Sequence, residues 1–203
     1  MVQALRNRGF GRGAAAAALS LIAVLCGCAD GPGRSASPAN STTVTQTFNK
    51  ADVKFAQTMI PHHEQAIEMG DMILTKSDIA PEVTQLAQQV KDGHRPQMTT
   101  MTGFLTAWNQ PLIPDHSAEA DQHHWDADGE LIPEEMQELN AADGPTGQRL
   151  FLKGMIKHHK GAITMVQHEI DNGQNPDALK LAQAIKDGQN GEIKSMNSLL
   201  AGL

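Results

Sequence analysis

The chain has 203 residues, formal net charge -7, only five Phe and two Trp, and no Tyr. An acidic chain without a basic face argues against nucleic-acid binding and against a polybasic membrane patch. Its two cysteines, Cys26 and Cys28, both lie near the N-terminus, so no disulfide framework or thiolate metal cage is available to the rest of the chain.

Residues 1–27 read as a bacterial export signal. Arg6, Arg8 and Arg12 form its charged start and Ala14 to Leu25 its apolar run. That run is short for a membrane-spanning helix, which needs about 20 residues. Leu25-Cys26-Gly27-Cys28 resembles a lipoprotein processing box, which implies cleavage before Cys28 and a lipid on its sulfur. An ordinary cleaved signal or an uncleaved anchor is the alternative. Residues 28–48 are rich in Gly, Pro, Ser, Thr and Asn and read as a flexible tether.

From residue 49 the pattern turns helical, and residues 49–203 read as one all-α domain. Asn49 is an N-cap with Asp52 in the first turn, opening a helix over about 50–75. Ser77 to Pro81 is a turn, and Pro81 starts a second helix over about 81–107. Gly93-His94-Arg95-Pro96 interrupts its pattern, and Pro96 is expected to kink it. Residues 108–144 form an acidic connection punctuated by Pro and Gly, with a short helix over 134–140. The connection also holds His116, His123 and His124, read as solvated loop residues. Pro145 opens a helix over about 145–172, and Asn175-Pro176-Asp177 caps the last, about 176–201.

The first and third long helices repeat one another. Met59-Ile60-Pro61-His62-His63-Glu64-Gln65-Ala66-Ile67-Glu68-Met69 returns as Met155-Ile156-Lys157-His158-His159-Lys160-Gly161-Ala162-Ile163-Thr164-Met165, with seven of eleven positions identical. At about 100° per residue, Phe55, Met59, His63, Ala66 and Gly70 share one face, with His62 and Met69 on its border. The second copy places Phe151, Met155, His159, Ala162 and Val166 alike, with His158 and Met165 on the border. The offset is 96 residues in this helix pair and 95 in the other, where Met101 answers Met196 and His94 answers Gln189. Two repeated helical hairpins joined by one long connection make a four-helix bundle.

Four buried histidines left without partners would cost about 1–3 kcal/mol each, comparable in sum to the roughly 5–15 kcal/mol stability of a whole domain. They must be hydrogen-bonded, exposed or bound to metal. Imidazole with thioether and no thiolate suits Cu(I) or Ag(I) over zinc or magnesium, which makes Met59, His62, His63, Met69, Met155, His158, His159 and Met165 the candidate metal ligands. His94 and Gln189 are candidates for orienting them from behind. Met72 and His168 stand as either added ligands or surface groups, and Glu64, Glu68 and Glu169 as outer groups. Met98, Met101 and Met196 read as core. No Glu-x-x-His occurs, so a ferritin-type di-iron centre is disfavoured. No catalytic serine, cysteine or phosphate-loop motif occurs either.

Asp52-x-x-Phe55-x-x-x-Met59-Ile60-x-His62-His63-x-x-Ala66-Ile67-x-Met69, followed by a second such helix with His158-His159, resembles domain-of-unknown-function family 305 over about 49–201. The resemblance implies a ferritin-like four-helix bundle, exported in bacteria, often lipid-anchored and in some members copper-binding. Gln148 and His94 depart from its pattern, which usually has Asp and Gln there, and the connection lacks a Met-rich segment. The expectation is a lipoprotein on the outer face of the cytoplasmic membrane that sequesters or hands over Cu(I), without an organic cofactor and without turning over a substrate. A metal-exchanging protein would be its partner. The alternatives are a metal-dependent redox enzyme and an interaction bundle whose histidines only hydrogen-bond.

Overall fold

The computed structural model describes residues 47–113 and 129–203. The signal segment, Cys28, most of the tether, and His116, His123 and His124 lie outside the described residues. Within them the protein is all-helical: α1 (Lys50–Leu74), α2 (Pro81–Ala107), the short α3 (Pro133–Ala141), α4 (Gly144–Asn172) and α5 (Pro176–Gly202).

Local chemistry fixes the helix ends. The Asn49 side chain accepts the Ala51 and Asp52 N–H groups at 2.7 and 3.2 Å, and Asp52 Oδ2 accepts the Asn49 N–H at 2.6 Å. This closes a reciprocal box around three otherwise orphaned donors. Asp143 accepts the Thr146 N–H to start α4, and Asn175 accepts those of Asp177 and Ala178 to start α5. The four long helices agree with the sequence reading to within a residue at either end. Pro96 lies inside α2, which continues through it as α1 does through Pro61.

The core falls into two apolar clusters. One gathers Met69 and Ile73 of α1, Val83 to Val90 of α2, Phe151 to Ile156 of α4 and Met196 of α5. The other gathers Phe55 and Met59 of α1, Met101 and Leu105 of α2, Ala162 and Val166 of α4, and Ala178 to Ile185 of α5. Following each helix from one cluster to the other makes α1 antiparallel to α2 and to α4, and α4 antiparallel to α5. Between the two clusters each helix passes one buried polar site: His62 and His63, His94, His158 and His159, and Gln189. A polar slab thus crosses the middle of the bundle.

The long connection is clipped back beside this slab. Gln65 Nε2 donates to the Leu131 carbonyl at 2.9 Å, and Gln65 Oε1 accepts the Leu131 N–H at 2.8 Å. Leu131 is buried in the first cluster, while its neighbour Ile132 is exposed.

Candidate metal centre

Two adjacent histidines on one helix point about 100° apart, so a pair can enter a core together only where other helices cover both directions. Here α2 and α4 flank α1, and all four motif histidines are buried, none more than 1% exposed. His62 and His158, one from each copy, lie ring against ring with centroids 3.7 Å apart. The His63 and His94 rings lie tilted against each other with centroids 4.1 Å apart, and His94 stacks with His159 at 5.7 Å. The wheel's placement of His62 and His158 on the border of the buried face needs correction, because the facing copy covers both.

The two inner histidines are braced in the same way. His63 Nε2 donates to Gln97 Oε1 at 2.7 Å, and His159 Nε2 donates to Glu192 Oε2 at 2.7 Å. Gln97 and Glu192 are separated by the same 95 residues that relate α2 to α5. A carboxylate only accepts, so Glu192 places the His159 proton on Nε2 and turns the Nδ1 lone pair inward. Burial pushes the Glu192 carboxyl up, but the hydrogen bond from His159, then the charges of His159 and His94, hold it below its ordinary range. These braces escaped the sequence reading, although the 95-residue offset pairs them.

The slab is an environment for neutral imidazole. Burial, and then the neighbouring His94, hold His63 well below the usual histidine value against the opposing pull of Gln97. Burial and then His62 do the same to His158. Burial and then His159 lower His94 to about 4. Neutral imidazoles keep a lone pair for a metal. Among the described residues, His63 Nδ1, His94 Nε2, both His158 nitrogens and His159 Nδ1 are buried without a hydrogen-bond partner. Metal ligation is one way such atoms are satisfied.

Thioethers flank the slab on both sides. Met69 and Met155 are buried on one side and Met59 on the other, where Met165 is only partly buried. The Met69 methyl group reaches α4, lying 3.1 Å from where a Cβ on Gly154 would stand. Of the residues held open as extra donors, His168, Glu64 and Glu68 are exposed and Met72 is partly buried. Glu169 is buried beside Asp52, away from the slab. Gln189 lies in the slab with neither amide atom hydrogen-bonded among the described residues. Also among the described residues, no three His, Cys, Asp or Glu side chains already converge on one point. The rings lie against one another, mostly tilted, and an ion held by three of them must turn at least one.

Residues 52–200 match the family model described as "Domain of unknown function (DUF305)". The chain belongs to this family. A DUF305 fragment from Deinococcus radiodurans is 31% identical to it, with TM-score 0.67, covering 76% of this chain and 98% of that one. A "putative secreted protein DUF305" from Streptomyces coelicolor is 28% identical, with TM-score 0.69, covering 75% and 93%. CopM in its Cu(I)-bound form is 26% identical, with TM-score 0.60, covering 74% and 96%. CopM is also known in Cu(II)-bound and silver-bound forms. No curated protein matches the chain. No helix among the described residues is long and apolar enough to cross a membrane.

Proposed function

We propose that this DUF305 protein is an exported, lipid-anchored copper-binding protein that takes up Cu(I) for sequestration, delivery or tolerance and does not turn over a substrate. The observation that carries the reading is the meeting of His62 and His158, 3.7 Å apart inside the bundle, between buried thioethers of both copies. Soft thioether and borderline imidazole donors in a dry site free of thiolate favour a monovalent coinage ion. Met59, His62, His63, Met69, Met155, His158, His159 and Met165 are the donors available to it.

The copper-bound and silver-bound forms of CopM, a relative of similar fold, support the choice of metal. Export and lipidation at Cys28 rest on the arginine-led apolar start and the Leu25 to Cys28 box. The secreted description of the Streptomyces relative agrees with export. A thiol-free bundle also suits an oxidising exterior, where exposed thiolates are lost.

The test is competition for Cu(I) between the full chain and a chromogenic Cu(I) chelator, repeated with His62→Ala/His158→Ala. Copper withheld from the chelator by the wild type and surrendered by the double variant is the expected result. Equal failure of both proteins to compete would leave a bundle with hydrogen-bonded histidines. Oxygen consumption on adding Cu(I) would mean a redox enzyme.

A further inference from the structure

The slab holds more imidazole than a single Cu(I) site uses. His63, His94 and His159 come from three helices, α1, α2 and α4. Each has one ring nitrogen engaged. His63 Nε2 is held by Gln97 and His159 Nε2 by Glu192, and His94 backs onto the Val90 carbonyl one turn earlier. Each has its other nitrogen buried without a hydrogen-bond partner among the described residues: Nδ1 of His63, Nε2 of His94 and Nδ1 of His159. An acceptor behind one nitrogen and a bare lone pair on the other is the arrangement of metal-bound histidine, because the rear hydrogen bond fixes the tautomer and aims the ring. Leaving three such atoms buried would cost about 1–3 kcal/mol each.

We infer that His63, His94 and His159 form a second site, all imidazole, for a divalent ion of borderline softness such as Cu(II) or Zn(II), separable from the thioether-flanked His62–His158 pair. The division rests on the copper reading above, narrowing its Cu(I) donors to the His62–His158 pair and the flanking thioethers, and stands on its own geometry for His63, His94 and His159. Three imidazole ligands are a recurrent set for such ions. The Glu192 carboxylate behind His159 adds negative charge that favours a divalent over a monovalent ion. Ring centroids at 4.1 and 5.7 Å make the three imidazoles neighbours, so bringing their nitrogens to about 2.0–2.1 Å from one ion requires the rings to turn apart rather than the helices to move. The asymmetry of the bundle points the same way. At the matching place on α5 the chain carries Gln189, so only the α2 side completes a set of three imidazoles.

The experiment uses the full chain, His94→Gln, which copies the residue of the other half, and His62→Ala/His158→Ala. Each is titrated with Zn(II) against a fluorescent chelator, with Cu(II) followed by electron paramagnetic resonance, and with Cu(I) against a chromogenic chelator. Thermal melts monitor folding. The expected result is a wild-type Cu(II) spectrum with three-nitrogen coupling that persists in His62→Ala/His158→Ala. His94→Gln should weaken Zn(II) and Cu(II) by at least about the 10–100-fold that removal even of an outer-shell partner costs, and leave Cu(I) binding unchanged. Divalent affinity equal in wild type and His94→Gln, or absent from both, overturns the inference while Cu(I) competition still upholds the copper reading. Divalent binding that needs His94 without any Cu(I) binding upholds the inference and removes that reading. Should His94→Gln not fold, fewer than three coupled nitrogens in His62→Ala/His158→Ala overturns the inference, and three uphold it.

Discussion

Asp52 and Gln148, at matching positions of the two copies, each reach across the bundle to hold the turn of the other hairpin. Asp52 Oδ1 accepts the N–H groups of Gln174 and Asn175 at 3.0 and 2.8 Å, at the head of α5. Gln148 Oε1 accepts the Ala80 N–H at 2.9 Å, at the head of α2. The departure from the family pattern at Gln148 therefore keeps the geometry and drops the charge. The residue beside each turn changes in step: buried Glu169 accompanies Asp52, and the position 96 residues earlier is the buried apolar Ile73.

The two ties should differ in strength. Asp52→Ala strands the buried Asn175 N–H and loses the Asn49 and Gln174 bonds, at a cost of about 2–4 kcal/mol on the scale of charge-assisted and buried bonds. Gln148→Ala loses one neutral bond and should cost about 1 kcal/mol. Urea denaturation of both variants checks the order, and unchanged m-values would confirm that stability alone was altered.

Glu169 should make the bundle less stable as pH rises through neutrality. Burial, and then its neighbour Asp52, raise its carboxyl to about 8. The folded state therefore keeps a proton that the unfolded chain releases above its ordinary value near 4.5. The group's contribution is fully present below about 4.5, falls between there and about 8, and stays low above. Glu169→Gln should raise the melting temperature by several degrees at pH 8 and leave it nearly unchanged at pH 4.5, as calorimetry at the two pH values would show.

The slab histidines set the opposite slope at lower pH. Burial holds His63, His94 and His158 below the ordinary histidine value, His94 at about 4. Their contribution is intact above about 6.5 and is lost as pH falls from there toward the folded values, because the unfolded chain takes up protons first. The metal-free protein should lose stability from pH 6.5 to 4.5, and His94→Gln should flatten that loss. Bound metal competes for the same nitrogens, so saturation at about 100 times its Kd should add roughly 2.7 kcal/mol at pH 7 and release the ion on acidification. Melts with and without metal across this range test both statements.

Gly144 should not tolerate a side chain. A Cβ there would stand 1.7 Å from the Ser77 carbonyl oxygen, a backbone atom that cannot swing aside as a side chain would. Gly144→Ala should cost on the order of 2–4 kcal/mol, at the upper end of overpacking. Gly188→Ala, where a Cβ meets nothing within 4 Å, should stabilise by about 0.4–1 kcal/mol as glycine leaves a helix. Chemical denaturation of the pair gives the comparison.

Several features of this chain follow from residues near one another in sequence. Asn49 and Asp52 box the start of α1, Asn175 caps α5, and the 3.6-residue period gives each helix its buried stripe, because these effects act within a turn or two. The doubled Met-His-His motif likewise marks α1 and α4 as the helices carrying the candidate donors before any packing is known. A wheel treats one helix as meeting one apolar neighbour, so it left His62 on a border. Only the packing of all four long helices decided that both rings of each pair are enclosed, that His94 joins them, and that Gln97 of α2 and Glu192 of α5 stand behind the inner two. The nearness of Glu169 to Asp52 belongs to the same class, since the two carboxyls are 117 positions apart. Such contacts depend on which faces of separate helices meet, and that is set by how the whole core fills its volume.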